Sequence, residues 1–380
     1  MTLFDRIPMA PTSTAPQPEF RLGEGRISGV LGVLLGVFAF GGVLCFWFPG
    51  LLTSPDARAL YAAHLGVFRA ILQAVLVGAF FFGALSVVMR RSWKLGLTAL
   101  ALAVAAALMG GAQAKVGVVE SRPFYFGVDY FLLELLALSL VFIPLERMFA
   151  RIPSQKVLRA DWWLDMKHFL IGHVGVQVVS FLIALPAHLL FKWAVSPAFQ
   201  AKVAAQPFWL QFLELLFLID FINYWIHVAF HKVPWLWKFH AVHHSPEHMD
   251  WLAGSRSHLV DTVANRALPY ALIFLMGFAP GPLLVYISFV SFQAVFIHAN
   301  VRWTFPGLRW VIATPEFHHW HHCKDAEGID TNFAVFLPVY DWLFGTAYLP
   351  GHWPKELGVS GETLPQTYLG QLAYPFKRGA

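Results

Sequence analysis

Apolar residues dominate the first half of this 380-residue chain and come in blocks of about 20, the length at which a helix crosses a hydrocarbon core of roughly 30 Å. Five blocks read as single crossings: Ile27–Phe48, Val67–Met89, Leu95–Ala112, Tyr130–Phe149 and His168–Trp193. A sixth, Phe208–Phe230, runs straight into polar, histidine-rich sequence. The next, Leu268–His298, is longer and is interrupted at Gly277-Phe278-Ala279-Pro280-Gly281-Pro282. Glycine and proline at that density end a helix, so the pattern predicts two helices in a hairpin or a re-entrant pair. The expected fold class is all-α, a polytopic membrane helical bundle.

Composition agrees with the pattern. Hydrophobic residues make up 57% of the chain and charged residues 13%, against about 25% charged in soluble domains. The net charge of +5 raises the question of nucleic acid. However, Lys and Arg sit in short loops between apolar runs and form no basic helix, so the acidic neighbour expected is the membrane surface and nucleic acid is not. Only Cys45 and Cys323 are present, too few for a disulfide framework.

Basic loops set an expected orientation. Arg90, Arg91 and Lys94 join the second and third crossings, and Arg147, Arg151, Lys156, Arg159 and Lys167 follow the fourth; both loops should face the cytoplasm. Counting forward, the sixth crossing then ends on the cytoplasmic side, and a hairpin returns its last residues there too. Four segments follow: a disordered cytoplasmic N-terminal tail (1–26), an accessory transmembrane bundle (27–151), a catalytic region (152–350) and a C-terminal tail (351–380). The accessory bundle holds His64 alone of the 17 histidines.

The remaining histidines include three clusters. His227 and His231 are four apart, one helical turn on one face. His240, His243 and His244 fall at i, i+3 and i+4, and His318, His321 and His322 repeat that spacing. Imidazoles gathered at a membrane boundary are costly to desolvate without partners, and a metal supplies the partner. Eight such ligands, with His298 as a ninth, exceed what one ion can use, so two metals are implied; imidazole suits iron, zinc, copper and nickel. His64, His168, His173 and His188 read as hydrogen-bonded core residues, and His319, His248 and His352 as surface residues or supports of ligands. Asp220 lies seven residues before His227 on the same helix face, and Asp330 and Asp341 follow the third cluster. Each could accept a hydrogen bond from a ligand imidazole, with fixing of the Tyr340–Thr346 turn as the alternative for Asp341.

The run Asp220-Phe221-Ile222-Asn223-Tyr224-Trp225-Ile226-His227 through His231, then Leu236 to Ser245, then Arg256-Ser257-His258, resembles the fatty acid hydroxylase and sterol desaturase superfamily. So do Thr314-Pro315-Glu316-Phe317-His318 through His322, Asp330-Thr331-Asn332-Phe333 and Tyr340 to Thr346. The likeness spans roughly Leu210 to Pro350. It implies a di-iron centre at the cytoplasmic face of a helical bundle, in which zinc can substitute on purification, and lipid hydroxylation or desaturation with dioxygen. The ligands it implies are His227, His231, His240, His243, His244, His298, His318, His321 and His322, with His258 as a further candidate. The chain departs at Phe333, where many members carry tyrosine, and in its extra N-terminal bundle.

Such a reaction consumes two electrons. The chain carries no dinucleotide fingerprint, haem attachment motif or ferredoxin cysteine pattern, so an external donor, ferredoxin or cytochrome b5-like, is expected, with Lys232, Lys238 and Lys324 as candidate contacts. Trp225, Trp235, Trp237, Trp251, Phe292, Phe296 and Trp320 are candidates for lining a lipid path, or for belts and packing. Competing classes are a metal transporter, a zinc hydrolase needing only three ligands, and a structural subunit.

Overall fold

The computed structural model describes residues 25–54, 58, 61–89, 91–119 and 125–377. The tail expected over 1–26 lies almost wholly outside them. Among the described residues, six helices are long and apolar enough to cross a membrane. Four are N-terminal: α1 (Arg26–Trp47), α2 (Leu65–Val88), α3 (Trp93–Leu108, continued as a 3-10 turn to Gln113) and α4 (Val128–Met148).

Helices α1, α2 and α3 pack on one another through small residues. A Cβ on Gly32 would lie 2.9 Å from the Gly83 nitrogen, and one on Gly96 would lie 2.6 Å from the Gly83 carbonyl. In a membrane, where burial of apolar surface gives little drive between helices, such close backbone approach is what lets them associate.

The block expected as one crossing over His168–Trp193 is built from two helices, α5 (Trp162–Val174) and α6 (Val176–Phe191), bent by 48° where they meet at Gly175 and together apolar enough for one broken span or a re-entrant loop. Helix α5 also begins earlier than the apolar pattern, because Asp165 and Lys167 break the run without breaking the helix. A short helix, α7 (Pro197–Ala204), leads to α8 (Phe208–Lys232), the sixth expected crossing. Val233 is extended and Pro234 opens α9 (Pro234–His244).

The interrupted segment is two helices, α10 (Leu259–Met276) and α11 (Pro280–Phe296), joined through a left-handed Gly277. Helix α10 starts nine residues before the apolar pattern does, since Asp261, Asn265 and Arg266 make its first half look polar. The remaining elements are α12 (Pro315–His321), α13 (Val339–Phe344) and α14 (Tyr368–Ala373). Residues 351–377 lie against the histidine-bearing region: Leu357, Val359, Leu364 and Gln371 are buried, and Gln371 bonds His168 and Ser245.

Two apolar clusters flank that region. Phe131, Leu135, Leu138 and Phe142 of α4 pack with Phe169 of α5 and with Trp251, Leu252, Ala299 and Val301. Leu215 and Ile219 of α8 pack with Phe278, Tyr286, Phe336 and Leu337. Between them the end of α8, the start of α10 and the end of α11 converge.

Candidate metal centre

Nine of the ten expected ligands come together, in two groups. His227, His231, His240, His244 and His321 form one, and His243, His298, His318 and His322 form the other, the ligand atoms of each group lying within 4.8 Å of one another. The groups adjoin, with the His244 and His322 rings stacked at 4.3 Å. Local sequence explains the presentation. Val233-Pro234 ends α8 and starts α9, so the two helices offer their imidazoles from different directions. Thr314 caps α12, its hydroxyl accepting from Phe317 N, with Pro315 at the first helical position.

Outer ring nitrogens are anchored. Nδ1 of His227 donates to the Phe333 carbonyl (2.6 Å), that of His240 to Asp261 (2.9 Å) and that of His231 to Asp330 (3.2 Å). Likewise His243 donates to the Arg256 carbonyl (2.9 Å), His298 to the Ala294 carbonyl (2.6 Å) and His321 to the Thr331 carbonyl (2.8 Å). A neutral ring that donates through Nδ1 presents a bare lone pair at Nε2. The Nε2 atoms of His227 and His240 lie 2.9 Å apart, and those of His298 and His318 3.0 Å apart. Nε2 of His231, His244 and His321 is buried with no hydrogen-bond partner, as is Nδ1 of His318 and His322. Buried nitrogens left unpaired are costly; a cation in the five-histidine group would satisfy its three Nε2 atoms, and in the four-histidine group the Nε2 atoms of His298, His318 and His322 converge at 3.0 Å. The donor set thus fits two metals of the kind that imidazole binds.

Electrostatics disfavour protonation of six of the rings. Burial, reinforced by the neighbouring imidazoles, pushes His243 down to about 4 and His244, His298, His318, His321 and His322 well below the ordinary histidine value. Below about pH 6.5 the unfolded chain binds protons at these positions that the folded metal-free chain refuses. The stability they contribute is present above about pH 6.5 and is lost as the pH falls through the folded values. Metal-free protein should therefore melt progressively earlier from about pH 6.5 downwards; a melting temperature that holds or rises on acidification would contradict this.

His258 stands apart. Its Nδ1 accepts from Val260 N as the cap of α10, and its Nε2 donates to the Leu372 carbonyl, so both nitrogens are occupied outside the two groups. Asp330 contacts His231 as expected and also pairs with Lys232. Asp220 and Asp341 touch no ligand imidazole. Asp220 accepts from Phe336 N and Leu337 N, while Asp341 accepts from Phe333 N, Ala334 N and the Thr346 hydroxyl. Together they hold the segment whose Phe333 carbonyl anchors His227. Phe333 itself is fully buried against the His227, His231 and His321 rings.

Asp261, the partner of His240, was not among the expected residues. Its position in the first turn of α10 marks it only as an acid that suits a helix start. Other histidines fall outside the groups: His319 lies between Arg151 and the His298 carbonyl, His168 bonds Gln371, His173 bonds Glu134, and His188 packs edge-on to Phe274. His64, His248 and His352 are exposed, so His64 is not a core residue. Of the aromatic candidates, Trp237 packs on the His231 and His244 rings, Trp251 and Trp320 are buried, and Trp225, Trp235 and Phe292 face outward. Lys324 pairs with Glu247.

Nine imidazoles in two adjoining groups on a bundle of apolar helices define the class, a membrane protein with a candidate histidine metal centre. Residues 212–346 match the fatty acid hydroxylase family. The chain is 30% identical over 269 residues to the ornithine lipid hydroxylase OlsE of Rhizobium tropici, a match covering 67% of this chain and 79% of that protein. It is 30% identical over 157 residues to the alkylglycerol monooxygenase of Xenopus tropicalis, covering 41% of this chain and 33% of that protein. With the very-long-chain aldehyde decarbonylase GL1-6 of Oryza sativa subsp. japonica it shares 28% identity over 143 residues, covering 34% and 21%. No solved structure matches. The chain belongs to the fatty acid hydroxylase and sterol desaturase superfamily and is an oxidoreductase.

Proposed function

We propose that this protein is a membrane di-iron oxygenase that hydroxylates a C–H bond of a lipid, using dioxygen and two electrons from an external donor of the ferredoxin or cytochrome b5 kind. The observation that carries the reading is the convergence of nine imidazoles in groups of five and four at one end of apolar helices. When bound there, a pair of irons supplies the means to activate dioxygen and cleave an unactivated C–H bond. The chain's own residues hold and orient. Outward hydrogen bonds from Nδ1 orient six of the nine rings, those of His227, His231, His240, His243, His298 and His321, and Phe333 and Trp237 keep water from the five-histidine group. The ends of α8, α10 and α11 bring the centre to where a lipid chain can reach it from the bilayer, on the side that the basic loops assign to the cytoplasm.

Hydroxylation is favoured over decarbonylation by the extent of likeness. Similarity to the ornithine lipid hydroxylase runs over 269 residues, well beyond the metal centre, whereas that to the aldehyde decarbonylase covers 143. Two measurements test the proposal. Purified protein should contain about two irons per chain, matching the two groups; stoichiometric zinc alone, not traceable to purification, argues for another class. Lipid extracts from cells expressing the wild type should contain a product one oxygen heavier that is missing from cells expressing His243→Ala. A difference confined to double bonds would point to desaturation, and no difference would sink the reading.

A further inference from the structure

The two histidine groups are supported from different parts of the chain. Outer partners of the five-histidine group, namely Phe333, Asp330, Asp261 and Thr331, all lie within the segment that matches the family. In the four-histidine group, His298 donates to the Ala294 carbonyl inside that segment, but the partner of His243 leads out of it. His243 donates to the carbonyl of Arg256, a fully buried arginine whose Nε bonds Asp165 of α5. Arg159 bonds the other Asp165 oxygen at 2.5 Å and grips Asp250 through Nε at 2.8 Å. Asp250 in turn accepts from Leu252 N and Ala253 N, which shapes the turn at 253–255.

That turn presses on a second ligand. A Cβ added to Gly254 would lie 2.7 Å from Nδ1 of His298 and 3.0 Å from its Cε1, so the loop backbone lies flat against the imidazole and leaves no room for a methyl group. Glu146 of α4 closes the arrangement. One of its oxygens accepts from Trp251 N (2.7 Å) and from Asn300 N (2.9 Å), tying the loop to the segment just after His298.

We infer that Glu146 and Asp165, from helices that precede the family-matched segment, are positioning residues for the four-histidine group, acting through the 250–256 loop on His243 and His298. The inference rests on the two-metal reading above. Buried acids and arginines can also serve stability alone, but a purely structural network has no reason to favour one metal over the other. If the loop sets the direction of two of four ligands, its disturbance weakens one binding event and spares the other.

The test uses metal-stripped full-length protein titrated with cobalt(II) against a competing chelator, so that two binding events are resolved. Asp165→Asn removes one charge and leaves the shape. Gly254→Ala leaves every charge in place and displaces the His298 ring directly, so it decides the matter should Asp165→Asn fail to fold. Each variant is expected to weaken one of the two events about 10–100-fold, the usual effect of disturbing a ligand's hydrogen-bond partner, with the other unchanged. Wild-type affinities at both events, or equal weakening of both, would overturn the inference. A wild type that binds fewer than two cobalt ions would instead overturn the two-metal reading.

Discussion

Asp261→Ala is expected to strip the five-histidine group of metal while leaving the four-histidine group loaded. The carboxylate is buried and receives the Nδ1 proton of His240 at 2.9 Å. Its other oxygen takes a 2.5 Å bond from Asn265 one turn further along α10. Without it, the His240 ring loses the partner that selects its tautomer and fixes its plane, and affinity at that group should fall about 10–100-fold. Hydroxylated lipid should fall in step, because the proposed reaction uses both metals. Chelator competition and product analysis on the same preparation check both halves. Undiminished affinity would mean that His240 is held in place by packing alone.

Asp220→Ala should act mainly through stability. The carboxylate accepts from Leu337 N at 2.7 Å and from Phe336 N at 3.2 Å, deep beside the Leu215 and Ile219 cluster. Truncation leaves two buried amides without acceptors, at about 1–3 kcal/mol each, or roughly 2–6 kcal/mol in all. The same change frees the 333–337 segment, so the Phe333 carbonyl no longer holds His227 in one place. Asp220→Asn keeps one acceptor and should lose clearly less. Thermal melting of the three proteins in one detergent orders them wild type, then Asn, then Ala; an Ala variant that melts with the wild type refutes the role.

The histidine clusters were legible because helical spacing survives in sequence, but their division between two groups was not. His240, His243 and His244 read as one face, yet His240 and His244 join one group and His243 the other. The third cluster splits in the same way, with His318 and His322 in the smaller group and His321 in the larger. Ring directions on a helix advance about 100° per residue, and only the i, i+4 pairs stay together when two sites lie side by side. Asp220 illustrates a related limit. Its seven-residue offset places it on the His227 face, but spacing along one helix cannot reveal that the 336–337 backbone lies opposite.

Helix positions were largely readable from apolar runs and from the Gly277 to Pro282 break. The misjudged edges are places where polar residues serve tertiary contacts. Helix α10 looks polar at its start because Asp261 turns inward to His240, and α5 looks polar because Asp165 turns inward to Arg256. The bend at Gly175 divides a run that hydropathy alone shows as continuous.

The outward anchoring of the imidazoles bears on redox balance. If two cations are held as proposed, imidazole ligands would bring them no negative charge, and the carboxylates of Asp261 and Asp330 would stand one imidazole further out. Two divalent ions held this way would keep most of their positive charge in a low-dielectric setting, where each additional charge is costly. On the proposed reading such a shell would favour the lower oxidation state.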